Sequence, residues 1–420
     1  MGNALNLTGL ALTSEQGKWK RTARKLADDV LAKNAEAIDR EGRFPHENIR
    51  AIADAGLLAI PVSKEQGGPG GSILSTVFVV EELARGCAST AMCYTMHMSA
   101  VPLIAALVGD SQNGQREKFL DPLLRGELFL SVAMTEPGSG NRLWHMDSFA
   151  VEEEDHYLID SFKSFSTSAG ASDYYLAPLR ANENVGPNDL SLFLIPASDP
   201  NVKPIGVWDG MGLRGNSSRP VHFDKVKVPK ENRLGDPLCG LSMLFSYCMP
   251  IYQVGLAAVY LGLAQSALDA AIAHVKKRIH SDTKSALSTV ETVQRYVSEM
   301  YVRLDQARHL VYRVAGLADN AMVLFEELRS AGLLDEVIRE NPDDPFFIEC
   351  AEVKIAACEM ATFVAHTALQ VCGGSAYRKG HPTERAYRDA RAGSVMGPSD
   401  DALKLIMGRQ LLGIPQPWEF

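Results

Sequence analysis

The sequence predicts an α+β protein of three domains: a helical N-terminal domain over residues 1–126, a middle β domain over 127–240 and a C-terminal helical bundle over 241–420. Three observations carry that prediction. From Ser14 to about Arg125, apolar residues recur at three- and four-residue spacing among Lys, Arg, Asp and Glu. From Gly126 to about Gly235 the chain turns to short runs of β-formers punctuated by Gly, Asp, Asn and Pro. From Leu241 onward, four long segments each carry an apolar stripe with few strands between them, the sequence form of an up-and-down bundle.

Taken in order, Thr13-Ser14-Glu15 supplies capping residues and opens a helix of about 25 residues. Pro45-His46-Glu47 starts a second helix that ends at Ala55-Gly56-Leu57, and the Gly-rich run Gln66–Gly71 is a loop. Ser72–Arg85 and Ser89–Val108 read as apolar helices, and Gln115–Arg125 as a shorter amphipathic one. The strand candidates are Phe129–Ala133, Phe149–Val151, Tyr157–Ile159, Tyr174–Pro178, Leu190–Ile195, Val221–Phe223 and Val226–Val228. The bundle helices are Ser242–Ile279, Ser288–Ser330, Phe346–Val371 and Asp400–Leu412.

A formal charge of −9 over 420 residues argues against a general nucleic-acid surface, while leaving room for a local basic groove. The seven cysteines are odd in number, scattered and without a Cys-x-x-Cys pair, so buried thiols in a reducing compartment are expected, with no disulfide and no metal site. The N-terminus lacks the basic region and apolar core of a secretory signal. The longest apolar stretch, Val254–Val275, is interrupted by Gln265, Ser266 and Asp269, which points to a buried bundle helix and not a membrane span. A cytoplasmic location is expected.

The stretch with the most chemical content is Met134-Thr-Glu-Pro-Gly-Ser-Gly140, followed some twenty residues later by Phe162-Lys-Ser-Phe-Ser-Thr-Ser-Ala169. Pro-Gly-Ser-Gly is first of all a turn. A small-residue loop followed by a strand carrying an aromatic and hydroxyls is also what a buried planar cofactor requires.

Seven segments in register decide between these readings: the Met134–Gly140 loop, Lys163–Thr167, Gly210-Met-Gly-Leu-Arg214, Phe223–Pro229, Gly262-Leu-Ala-Gln265, Gln370-Val-Cys-Gly-Gly374 and Glu384–Ala390. With them the chain resembles the acyl-CoA dehydrogenases over nearly its whole length. The resemblance implies a helical N-terminal domain, a β-barrel-like middle domain and a C-terminal four-helix bundle. It further implies FAD between the β domain and the bundle, partly held by a neighbouring subunit of a homodimer or homotetramer.

Carried over residue by residue, it assigns Val132, Met134, Thr135, Gly140 and Asn141 to the loop along the flavin. Phe165 stands where the family has a Trp covering one ring face, beside Ser166, and Thr167 supplies the hydroxyl toward the reactive end. Arg278 matches an arginine that reaches the pyrophosphate of the neighbour's FAD; Gln370, Cys372, Gly373 and Gly374 match the segment packed on it, with Ser399 added to the set. Arg388 and Asp389 read as structural.

The pattern breaks at the base. In the family a carboxylate removes the α-proton of an acyl thioester while a hydride leaves the β-carbon for flavin N5. The usual Glu position is occupied by Gly397, or by Met396 with a one-residue shift, and the alternative position on the first long bundle helix by Tyr252, followed by Gln253. A phenol with an ordinary pKa near ~10 is a poor base at neutral pH. Candidate replacements are Asp400 and Asp401, for which helix capping is the plainer explanation, with His145 and Tyr252 behind them. After Gly140 the chain reads Asn141-Arg142-Leu143-Trp144-His145 where the family usually has Ser-Asp, and Glu291 stands where a Gln commonly meets FAD. Asn141, Arg142, Trp144, Tyr252 and Gln253 are therefore candidate substrate contacts.

The reading that follows is an FAD-dependent dehydrogenase of an acyl thioester, on CoA or a carrier protein, with an electron-transfer flavoprotein as possible acceptor. One alternative is a flavin monooxygenase or oxidase on the same fold, fed by a flavin reductase and needing no glutamate. The other is a homologue that binds flavin or thioester without catalysis.

Overall fold

The structure, a computed structural model, describes residues 12–108, 114–140, 142, 145–341 and 345–414. The N-terminal part comprises α1 (Ser14–Leu26), α2 (Ala32–Glu41), α3 (His46–Asp54), α4 (Ile73–Gly86), α5 (Ala88–Val108) and the short α6 (Asp121–Leu124). Thr13 caps α1 reciprocally: its hydroxyl accepts from the Gln16 N–H at 3.1 Å and the Gln16 side chain accepts from the Thr13 N–H at 3.0 Å. The first helix expected from the sequence runs through a π turn at Ala27–Leu31 into α2, and Gly42 closes it with a left-handed φ of 62°.

The middle part holds eight strands in two four-stranded sheets. β1 (Leu130–Val132), β4 (Tyr174–Arg180), β5 (Leu190–Pro196) and β8 (Arg233–Leu234) form one; β2 (Ala150–Glu152), β3 (His156–Ser166), β7 (Arg219–Pro229) and β6 (Val202–Pro204) form the other. Among the described strands, β1–β4 is the parallel pairing and the others are antiparallel. Alternate residues of both sheets, among them Tyr157, Tyr175, Phe193, Val221 and Phe223, are buried in one shared core. Val221–Phe223 and Val226–Val228, separate strands by sequence, are one strand. The intervening Lys225 has φ 54°, and the β3 pairing shifts register opposite it, so residues that read as a turn make a bulge. β6 and β8 are too short to register as a pattern in the sequence.

The C-terminal part contains α7 (Gly240–Met243), α8 (Met249–Lys277), α9 (Glu291–Ser330), α10 (Leu334–Glu340), α11 (Pro345–Cys372), α12 (Pro382–Val395) and α13 (Asp400–Leu411). α8 packs against α4 and α5 as well as α9, α11 and α12, so the two helical parts share one core. Gly262 permits that closeness, because a Cβ there would lie 2.1 Å from the Glu81 carbonyl oxygen. The fourth bundle helix packed on α8 and α11 is α12, not the 400–412 helix expected from the sequence. Its period is masked because its inward residues include polar ones: Arg388 binds Asp39 through both nitrogens, at 2.9 and 2.6 Å, and Glu384 at 2.6 Å.

Three helical stretches, Ala88–Val108, Gly240–Lys277 and Phe346–Ser375, are long and apolar enough to cross a membrane by length and composition. Most of each apolar window is buried inside the fold, which accounts for the composition without a bilayer. All seven cysteines are reduced thiols, six of them buried.

Candidate active site

The Met134–Gly140 loop is shaped by one buried ion pair. Lys163 on β3 is fully buried, and its Nζ donates to Glu136 Oε1 at 2.8 Å, to the Pro178 carbonyl at 3.0 Å and to the Met134 carbonyl at 3.4 Å. Three acceptors around one nitrogen suit an ammonium. The other Glu136 oxygen accepts from the Asp147 and Ser148 amides at 2.7 and 3.0 Å. Burial alone would raise the Glu136 carboxyl; Lys163 and those amides outweigh it and hold the group below its ordinary value. The loop is closed by Ser139, which donates to the Glu136 carbonyl and accepts from its amide, and is tied to β3 by the Ser164 N–H to Thr135 carbonyl bond at 2.7 Å. Sequence reasoning passed over Glu136 and Lys163, although their place inside two motifs was the available signal.

Against this loop lies a cavity of about 390 Å³ at the junction of the sheets with the bundle. Val132, Met134, Thr135, Gly140, Phe165 and Thr167 form one wall; Tyr252, Met396 and Gly397 form the opposite one, with Met96 and Ser99 of α5 also exposed to it. Phe165 leaves 59% of its surface uncovered, a large aromatic face turned to the cavity. Thr167 and Ser218 share a hydroxyl contact of 3.0 Å, and the buried Ser166 hydroxyl has no partner among the described residues.

The two positions expected from the resemblance to carry the base meet. Tyr252 on α8 donates its hydroxyl to the Gly397 carbonyl at 2.6 Å. Burial, with Cys248 and Cys358 nearby, holds this phenol well above its ordinary value. Asp400 and Asp401 line a different cavity of about 440 Å³, on the far side of the α12 end, with Glu359, Arg391 and Lys404. Asp400 is buried against Lys354 at 2.7 Å, and Lys354 also donates to the Pro398 carbonyl at 3.0 Å. The N-cap of α13 is Ser399, whose hydroxyl accepts from Ala402 at 3.3 Å. None of the described residues lining the 390 Å³ cavity carries a carboxylate.

Of the remaining candidates, Gln253 is buried with an unpartnered carbonyl oxygen and lines neither cavity. Arg142 and His145 lie near the loop but not on the cavity wall; Asn141 and Trp144 lie outside the described residues. Arg278, at the C-terminal cap of α8, is exposed, as are Gln370, Gly373 and Gly374 at the end of α11, while Cys372 is buried. These residues do not line the cavity of the same chain. Glu291 is exposed at the first turn of α9.

The sequence matches the acyl-CoA dehydrogenase N-terminal domain over residues 13–127, the middle domain over 131–226 and the C-terminal domain over 246–412. The chain belongs to the acyl-CoA dehydrogenase family. Membership gives its class, a flavoenzyme oxidoreductase acting on CH–CH groups, and its cofactor, FAD. The short-chain specific acyl-CoA dehydrogenase of Clostridium acetobutylicum is 30% identical over 401 residues, covering 95% of this chain and 98% of that protein. The acryloyl-CoA reductase (NADH) of Anaerotignum propionicum is 28% identical over 404 residues, covering 96% and 95%. The structure of butyryl-CoA dehydrogenase from Megasphaera elsdenii superposes with a TM-score of 0.84 at 26% identity, covering 96% of this chain and 99% of that one.

The cavity suits a flavin ring on its own features: an uncovered phenyl face, an apolar slot and a hydroxyl pair at one end. Asp389 and Arg388 of α12 support the Gly212–Leu213 part of the cavity wall. The Asp389 carboxylate accepts the Leu213 amide at 2.7 Å, and Gly212 approaches the Arg388 carbonyl so closely that a Cβ would lie 2.3 Å from it.

Proposed function

We propose that this chain is an FAD-dependent oxidoreductase of the Cα–Cβ bond of an acyl thioester, carried on CoA or on a carrier protein. The observation that carries the reading is the cavity itself. Its one wall is the loop and strand end that resemble the family's flavin cradle, and its other wall is formed by both positions at which the family places its base. Bound there, the flavin supplies hydride chemistry at N5. Val132, Met134, Thr135, Gly140, Phe165, Ser166 and Thr167 would hold the ring, with Asn141 beside them. Arg278, Gln370, Cys372, Gly373, Gly374 and Ser399 would serve the dinucleotide, the exposed ones toward a second copy, in a homodimer or homotetramer. The chain's own contribution is to exclude water with Met96, Met396 and Val395, and to orient the thioester between Phe165 and Tyr252.

The relatives' names include both an acyl-CoA dehydrogenase and an acryloyl-CoA reductase, so both directions of this chemistry belong to the class of reaction proposed. Electrons would pass to or from an electron-transfer flavoprotein or a reduced nicotinamide. A cytoplasmic setting is part of the proposal, and the scattered and mostly buried cysteines suit it.

The test is anaerobic mixing of the flavin-loaded protein with matched saturated and α,β-unsaturated thioesters. Bleaching of the oxidised flavin by the first, or return of colour to the reduced flavin by the second, is the expected result. No exchange in either direction across short, long and branched chains, together with substrate-dependent oxygen uptake, would replace this reading with a monooxygenase.

A further inference from the structure

Among the described residues lining the cavity, only Tyr252 and Cys248 carry an ionisable proton. Burial pushes the Cys248 thiol up to about 12. The Tyr252 hydroxyl already donates to the Gly397 carbonyl, and a phenolate at that place would face carbonyl lone pairs with no donor. The groups around it add nothing to stabilise the anion. Cys248 precedes it by one turn, Cys358 approaches from α11 and Tyr260 lies further along α8. The Lys354 ammonium is committed to Asp400 and to the Met396 and Pro398 carbonyls, and α5 and α12 present Met96, Ser99 and Ala392, all uncharged. Among the described residues the site holds a proton and offers no resting base.

We infer that Tyr252 is the proton donor in the reduction of an α,β-unsaturated acyl thioester. The inference rests on the acyl-thioester reading above. In the step, bound reduced flavin would supply the hydride and electron pair that the β-carbon gains, the C=C pair would move toward the thioester as an enolate, and the α-carbon would take the phenolic proton. The Tyr252 O–H bond would break and solvent would reprotonate the phenolate, with a nicotinamide or a reduced flavoprotein as the source of the electron pair. Rotation about the Cζ–Oη bond is all that redirects the proton from Gly397 to the cavity. A thioester enolate is a far stronger base than a phenolate, so even a phenol of raised pKa gives up its proton to it. The reverse step needs the phenolate, which is scarce at neutral pH, whereas a carboxylate in this place would be ready ionised.

The test follows both half-reactions anaerobically. With reduced protein in D2O, a crotonyl thioester should restore flavin colour at a rate that is flat between about pH 6 and about pH 9, and should carry deuterium at the α-carbon. With oxidised protein, the butyryl thioester should bleach the flavin at a rate that rises with pH, because the same hydroxyl must then be deprotonated. Tyr252→Phe should slow the crotonyl reaction by about 100-fold or more while the protein still retains its flavin. Apoprotein of both forms should show the same tyrosinate absorbance up to about pH 11, because Tyr252 does not ionise in that range. A butyryl rate that does not rise with pH, or a Phe variant with the wild-type rate and α-deuteration, would overturn the inference and leave the acyl-thioester reading standing. If neither thioester binds or reacts, both fall.

Discussion

The two walls of the cavity are built on opposite principles. The flavin-side wall carries the loop and strand-end motifs expected of the family, Phe165 aside, and is over-determined: one buried ion pair, Glu136–Lys163, gathers the loop, two backbone amides and two strands. The opposite wall carries Tyr252 and Gly397 at the two positions where the resemblance expects the base, joined by one hydroxyl-to-carbonyl bond. Holding a cofactor takes many mutually dependent contacts, so the residues come as a motif. The direction of proton transfer depends on one side chain, which can change without disturbing the frame.

The comparison is broken most severely at Glu136. Glu136→Ala leaves the Lys163 ammonium buried without its counter-ion and should cost about 3–5 kcal/mol in denaturant unfolding, with loss of bound flavin. Glu136→Gln combined with Lys163→Met should cost much less than the sum of its parts, since no buried charge is left unpaired.

His97 tests how the flavin-side wall is attached to the helical part. Its Nδ1 accepts the Leu130 amide at 3.1 Å, which places the ring proton on Nε2 for the 2.8 Å bond to the Leu58 carbonyl. Burial lowers it from the ordinary 6.5 to about 4. Between those values the unfolded chain binds the proton that the folded chain refuses, so stability is complete above about pH 6.5 and falls as pH drops to about 4, by roughly 3 kcal/mol. Asp389, raised by burial to about 6, works in the opposite sense, its contribution being lost as pH rises. The difference between wild type and His97→Gln, followed by unfolding across this range, isolates the histidine.

The opposite wall depends on where α8 lies. Gly262→Ala drives a Cβ toward the Glu81 carbonyl and should cost roughly 1–3 kcal/mol, with a larger effect on the Tyr252 chemistry than on flavin retention. The smallest effect is expected at Asp401. Being exposed and behind α12, Asp401→Asn should change stability by less than about 0.5 kcal/mol and leave both half-reaction rates unaltered.

Much of the fold was legible because burial writes periodicity: the alternation along β3 and the apolar length of α8 follow from the faces they hide. α12 was not legible as the bundle's fourth helix, since Arg388 and Glu384 point inward and pair with each other, and Arg388 also with Asp39, some 350 residues earlier in the chain. In the site, the loop motif was readable. That Tyr252 and Gly397 touch, and that Asp400 is committed to Lys354, depends on packing between helices that no local pattern records.

The central claim is that one missing carboxylate separates this chain's chemistry from the family's. The direct measurement is anaerobic bleaching of the flavin by a saturated acyl thioester near neutral pH in Tyr252→Glu beside wild type. A rate at least about 100-fold above wild type, with flavin retained, is what the account predicts. A variant that binds flavin and thioester normally yet bleaches no faster than wild type would contradict it.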